Sequence, residues 1–153
     1  MIMIPVLILQ IFLFPLVASV LMNFWVDSRR TLALQDATSH LGSSIQQLYL
    51  SLNHPTIPAN TTIKSSPGLP PFIENNYYKG KATLRTVLEP ALNSSKLLEV
   101  TLTLATVGTT STTSVILGPN ALWQESTFIS NSPNACVGAE KFPNGTITLH
   151  FGE

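Results

Sequence analysis

The sequence predicts an α+β protein: a long N-terminal hydrophobic α-helix followed by a small, mostly antiparallel β-sheet or sandwich domain. Three observations predict it. The first charged side chain among the 153 residues is Asp27. Apolar positions then keep recurring at steps of three and four as far as Leu52, the period of a helix face. After Tyr77 threonines alternate with aliphatic residues at period two, the pattern of half-buried strands. The chain divides accordingly into a helix over 1–52, a connector over 53–76 and a β-rich outer domain over 77–153.

Residues 1–26 form the apolar part of the helix. Apart from Gln10, Ser19 and Asn23 they carry no polar side chain, and 16 of the 26 are Leu, Ile, Val or Phe. About 20 such residues of helix cross the hydrocarbon of a bilayer. A soluble domain of this size does not leave such a segment in water, so it belongs in lipid or against other protein. Pro5 falls in the first turn, where a missing N–H costs little. Pro15 removes an interior donor and crowds the carbonyl of Ile11, which predicts a kink or a short unwound stretch over 11–15. Trp25 sits where interfacial aromatics collect at the end of a membrane span.

The amphipathic part, 27–52, places Leu34, Ala37, Leu41, Ile45, Leu48 and Leu52 on one face, with Gln35, Asp36, Ser39, Gln46 and Gln47 between them. Leu34, Leu41, Ile45, Leu48 and Leu52 are the expected helix-to-sheet contacts, and Gly42 is a soft point. Asn53-His54-Pro55 ends the helix, because the residue before proline is driven from the helical region. Arg29 and Arg30 are solvated charges or partners for Asp27 or Asp36 of a neighbouring molecule. The connector, with Pro55, Pro58, Pro67, Gly68, Pro70 and Pro71, reads as an extended link containing no regular element.

In the β domain, Val100–Leu104 and Gly145–Phe151 alternate most cleanly, with Ile147, Leu149 and Phe151 inward and Thr146, Thr148 and His150 outward. Ala82–Leu88, Thr113–Leu117 and Leu122–Ile129 are further strand candidates. Gly108–Thr112 and Gly118-Pro119-Asn120 read as turns. Four or five strands follow. Some 75 residues make a thin core alone, so one face of the sheet is expected to take the helix stripe from Leu34 to Leu52. Tyr77, Tyr78 and Trp123 are read as packing residues.

Eight basic and eight acidic side chains cancel, and no basic patch points to nucleic acid. Polarity comes from Ser, Thr and Asn. Cys136 is the only cysteine, so no internal disulfide forms, and it reads as a small buried apolar residue. Asn60-Thr61-Thr62, Asn93-Ser94-Ser95 and Asn144-Gly145-Thr146 match the N-glycosylation acceptor pattern, making Asn60, Asn93 and Asn144 candidate glycan sites. Asn144-Gly145 also suits a hairpin turn. Basic residues just after an apolar span favour the cytoplasmic side, while glycan acceptors belong outside. The two agree if a short basic leader once preceded Met1.

Catalysis finds little footing. His40, His54 and His150 have no ligand spacing with one another or with Cys136, and no phosphate loop, nucleophile elbow or carboxylate pair is present. A Cys136–His150 nucleophile and base is disfavoured by the outward position expected for His150. The chain is expected not to be an enzyme and to hold no cofactor, covalent N-glycans aside.

An apolar helix running into an amphipathic one, then a connector and a threonine-rich sheet, resembles the type IV pilin architecture. The sparse charge, hydroxyl-rich strands and sequons make it most similar to archaeal type IV pilins. The stretch from Ile4-Pro5-Val6-Leu7-Ile8-Leu9 through Leu32-Ala33-Leu34-Gln35-Asp36-Ala37 also resembles Tad-type pilin-like proteins. Bacterial type IV pilins usually have Glu at the fifth mature position, where this chain has Pro5, so the resemblance is to the archaeal kind.

It implies a helical homopolymer: an adhesive extracellular filament, inserted in the cytoplasmic membrane before the pilus assembly machinery builds it. Ile4, Leu7, Ile8, Ile11, Phe12, Phe14, Leu16, Val20, Leu21 and Phe24 would pack in the filament core. The alternative is a single-pass surface anchor, or a minor pilin-like component, whose β domain binds a partner. A secreted or membrane-anchored hydrolase is a distant third.

Overall fold

The structure is a computed structural model that describes residues 3–87 and 95–152. Among these described residues one helix, α1 (Met3–Asn53), is followed by eight strands: β1 (Thr61–Ser65), β2 (Tyr78–Thr86), β3 (Lys96–Leu104), β4 (Thr110–Leu117), β5 (Ala121–Trp123), β6 (Thr127–Ile129), β7 (Val137–Lys141) and β8 (Ile147–Phe151). The protein is thus α+β, a long apolar helix followed by a small β domain rich in antiparallel pairs. The strands form two four-stranded sheets, ordered β1-β7-β8-β5 and β4-β3-β2-β6. Every pairing is antiparallel except β5 with β8.

At about 1.5 Å per residue, the 51 residues of α1 span roughly 75 Å. The first buried residue is Leu34, some 45 Å along the helix at that rise per residue. From Leu34 to Leu52 the buried positions are Leu34, Ala37, Thr38, Leu41, Gly42, Ile45, Leu48, Tyr49 and Leu52. Thr38 is tolerated among them because its Oγ1 donates to the Leu34 carbonyl, 2.6 Å away. The helix stripe was expected on one face of one sheet; it instead touches β4 and β3 of one sheet and β7, β1 and β8 of the other. It closes one open side of the sandwich. Between the sheets Tyr78, Phe128, Phe151 and Trp123 follow one another in ring contact, with centroids 6.3, 5.7 and 4.8 Å apart.

Several expectations need correction. Eight strands in two sheets replace four or five. The connector contains β1, paired with β7, which itself was not foreseen. The stretch Leu122–Ile129 is not one strand: β5 pairs with β8 and β6 with β2, in different sheets. The turn expected over Gly108–Thr112 lies earlier, and β4 already begins at Thr110, paired with Thr103. β2 starts at Tyr78 and ends at Thr86, while Leu88 lies outside the described residues. The helix is continuous through Pro15, with no unwound stretch over 11–15.

The end of α1 is tied down by other elements. No basic residue occupies its last turn. Lys141 on β7 supplies the missing cation, its Nζ donating to the carbonyls of His54 (3.1 Å) and Ile57 (2.9 Å), where the helix dipole is negative. Asn120, in the β4–β5 turn, accepts the Tyr49 hydroxyl at 2.5 Å and donates to Asn53 Oδ1 and to the Gly145 carbonyl. Its amide thereby joins helix, turn and the β7–β8 hairpin.

Candidate functional site

The feature that sets this chain apart is the rod made by the first half of α1. All ten residues proposed for the filament core are exposed in the isolated chain, from 51% at Ile8 to 78% at Phe14. The helix is long and apolar enough to cross a membrane, and none of its most apolar 18 residues is buried by the domain. Shallow apolar grooves run along it, one lined by Leu7, Ile11, Phe14 and Val17 around Pro15, another by Pro5, Ile8, Phe12 and Leu16. Apolar side chains therefore face every direction around the rod, as in a helix with neighbours on all sides. Exposure on this scale is far beyond the few hundred Å² of apolar patch usual on a soluble monomer.

The rod joins the domain through Trp25, Arg29 and Glu74. The Arg29 guanidinium lies 4.9 Å from the Trp25 ring centroid and 3.4 Å from a Glu74 carboxylate oxygen. Arg30 pairs within its own helix with Asp27, at 3.4 Å. Both arginines thus have intrachain partners, where pairing with a neighbour or with solvent was expected. Glu74 could not be anticipated from the sequence, since it reaches Arg29 from a tight turn closed by the Ile73–Asn76 bridge. The Arg29–Glu74 pair is exposed and the Arg30–Asp27 pair open to solvent on the Asp27 side, so each contributes little, about 0–1 kcal/mol.

Comparison with protein-family models, with curated proteins and with solved structures returns no match.

Leu34, Leu41, Ile45, Leu48 and Leu52, the expected helix-to-sheet contacts, are buried in the common core. Pro15 lies in the exposed rod. Asn60 and Asn144 are both exposed. They occupy the same pole as the end of α1: the Asn60 amide donates to the Lys141 carbonyl at 2.7 Å, and Asn144 is in the hairpin that follows Lys141. Asn60 adopts φ 62°, a left-handed value that Asn tolerates better than most residues. The Asn144 side-chain oxygen accepts the Thr146 amide at 3.0 Å, the local turn bond typical of Asn. Asn93 lies outside the described residues.

His150 lies on the outer side of β8, directly across from Gly138. Cys136 is half-buried before β7, where its carbonyl accepts the Gly152 amide. Among the described residues no group of three or more His, Cys, Asp or Glu is placed to hold a metal. Tyr78 is fully buried, its hydroxyl donates to the Pro70 carbonyl at 2.6 Å, and burial pushes its pKa up to about 12. Burial also raises the Tyr49 hydroxyl, an effect partly offset by a hydrogen bond from the Gly118 backbone. Both tyrosines serve packing and latching.

Proposed function

We propose that this chain is a structural subunit of an extracellular type IV-like pilus of the archaeal kind, polymerising through its apolar rod and serving surface adhesion. One observation carries the reading: a single unbroken helix buries one face in its own domain from Leu34 to Leu52 and has no buried residue from Met3 to Phe24.

Burying even ten of those side chains against sibling rods is worth roughly 15–30 kcal/mol. Association costs about 4–15 kcal/mol per subunit, so burial wins. Rods packed side by side in parallel contact one another head to tail, and such non-closing interfaces generate open helical filaments. The β domains would then coat the outside. Before assembly the same rod would sit in a bilayer, with Trp25 at its boundary. Glycans on Asn60 and Asn144 would stand at the pole farthest along α1 from the rod, clear of rod packing.

Sedimentation of material sheared from cells tests this reading. A pilus subunit pellets as long assemblies without detergent. A single-pass anchor stays with the membrane and yields dispersed monomers when detergent is added. Mass determination of the peptides holding Asn60 and Asn144 reads the glycans separately.

A further inference from the structure

The inner side of the β4-β3-β2-β6 sheet is core, and its outer side is an ordered array of hydroxyls and cations. Strand register sets the ranks. Thr127, Lys81, Thr101 and Thr112 lie side by side across the four strands, and Ile129, Lys79, Thr103 and Thr110 form the next rank. Thr83, Glu99 and Ser114 form a third. Neighbours across the sheet are about 4.8 Å apart and same-face neighbours along a strand about 6.8 Å apart. The Thr101 and Thr112 hydroxyls are hydrogen-bonded at 2.9 Å, which fixes that part of the array.

The charges on this face are unbalanced although the whole chain is neutral. Glu99 is the one carboxylate carried by these four strands, and Arg85 holds it at 3.0 Å. Of the other cations among the described residues, Arg29 pairs with Glu74, Arg30 with Asp27, Lys96 with the Ala121 carbonyl and Lys141 with the end of the helix, while Lys64 stands alone on β1 of the other sheet, so only this face carries two such lysines on one strand. Lys79 and Lys81 are exposed and, among the described residues, within 4 Å of no carboxylate. The Lys79 ammonium lies 5.9 Å from the Tyr77 ring centroid, which leaves its donors open.

We propose that this face binds an acidic polysaccharide, with its anionic groups on Lys79 and Lys81 and its hydroxyls on the threonine ranks. Charge complementarity selects a polyanion. The hydroxyl array selects a sugar polymer, because each threonine both donates and accepts. The apolar residues of this face, Ile129 at one margin and Ile116 beside the half-buried Leu97 at the other, are separated by the lysine and threonine ranks, which leaves an inserting lipid or an apolar protein surface little continuous area to bury. The proposal does not depend on filament formation, since every residue it uses belongs to the β domain.

The test measures binding of the full chain, in detergent, to immobilised dextran sulfate, with uncharged dextran and phosphatidylglycerol vesicles as comparison surfaces. The wild-type chain is expected to bind dextran sulfate, to leave dextran unbound and to weaken as salt screens the contact. Lys79→Gln with Lys81→Gln should lose at least tenfold in affinity. Lys79→Arg with Lys81→Arg should keep it, and Lys64→Gln, on the other sheet, should stay within twofold. Equal losses for Lys64→Gln and the double variant would overturn the assignment to this face. Binding to the vesicles but not to dextran sulfate would overturn the choice of partner, and so would absence of binding at low salt.

Discussion

Gly42 lies against Val115 with no room for a side chain between them. A Cβ built on Gly42 would stand 3.0 Å from Val115 Cγ2 and 2.9 Å from Thr113 Cγ2. The glycine is therefore where α1 settles onto β4, a closer reason for its presence than local helix softness. Val115 and Thr113 are β-branched and stiff at χ1, so they yield poorly. Alanine at an ordinary helix site gains about 1 kcal/mol over glycine, but overpacking a core costs about 1–3 kcal/mol. Gly42→Ala is expected to lower stability by about 1 kcal/mol in urea denaturation, the difference between those two effects. Adding Thr113→Ser should recover part of the loss.

Asn120 holds Tyr49, Asn53 and Gly145 at once. Asn120→Ala leaves the half-buried Tyr49 hydroxyl without its acceptor and should cost about 1–3 kcal/mol, the penalty for an unsatisfied buried group. Tyr49→Phe removes the polar group along with the bond and should cost less. Chemical denaturation of the two variants side by side measures the difference.

Lys141 makes a comparable prediction at the helix end. Lys141→Met keeps most of the stem and loses the two donations to His54 and Ile57. A loss of about 1–2 kcal/mol follows for charged hydrogen bonds in a partly exposed setting. Hydrogen exchange should show the loosening first in the last turn of α1 and in β1, whose flanking Asn60 amide is bonded to the Lys141 carbonyl.

Tyr78 gives a pH signature. Its pKa is raised from 10.0 to about 12 by burial, so the folded state holds that proton more tightly than the unfolded chain does. The associated stability is complete below pH 10 and is lost as pH climbs toward 12. Thermal melting should stay flat with respect to this group up to about pH 9 and then decline. Tyr78→Phe should flatten that alkaline decline relative to the parent, even if it melts lower throughout.

The helix and its stripe were legible in the sequence because their period is local: Leu34 to Leu52 can be counted without knowing what they touch. The Val100–Leu104 half of β3 was legible for the same reason, but its start at Lys96 was not. β7 was not, because Gly138 and Ala139 have weak strand preference. Only the fold reveals why Gly138 is there: a Cβ at that position would fall 2.4 Å from His150 Nε2. β1 was hidden inside a proline-rich stretch, since pairing with β7, far along the chain, makes Thr61–Ser65 a strand. The division of Leu122–Ile129 likewise depends on which sheet each half joins. Of the candidate site, the apolar residues of the rod were readable one by one. The Trp25–Arg29–Glu74 junction was not, because Glu74 reaches it through a turn.

Filament formation requires that uncovered rods of separate copies cover one another. Electron microscopy of the purified full chain, after detergent is dialysed away in the absence of lipid, tests it most directly. Uniform filaments with the β domains on the outside are predicted, and Phe12→Asp with Leu16→Asp should abolish them. Monodisperse particles that persist only with detergent or lipid around the rod would contradict the account.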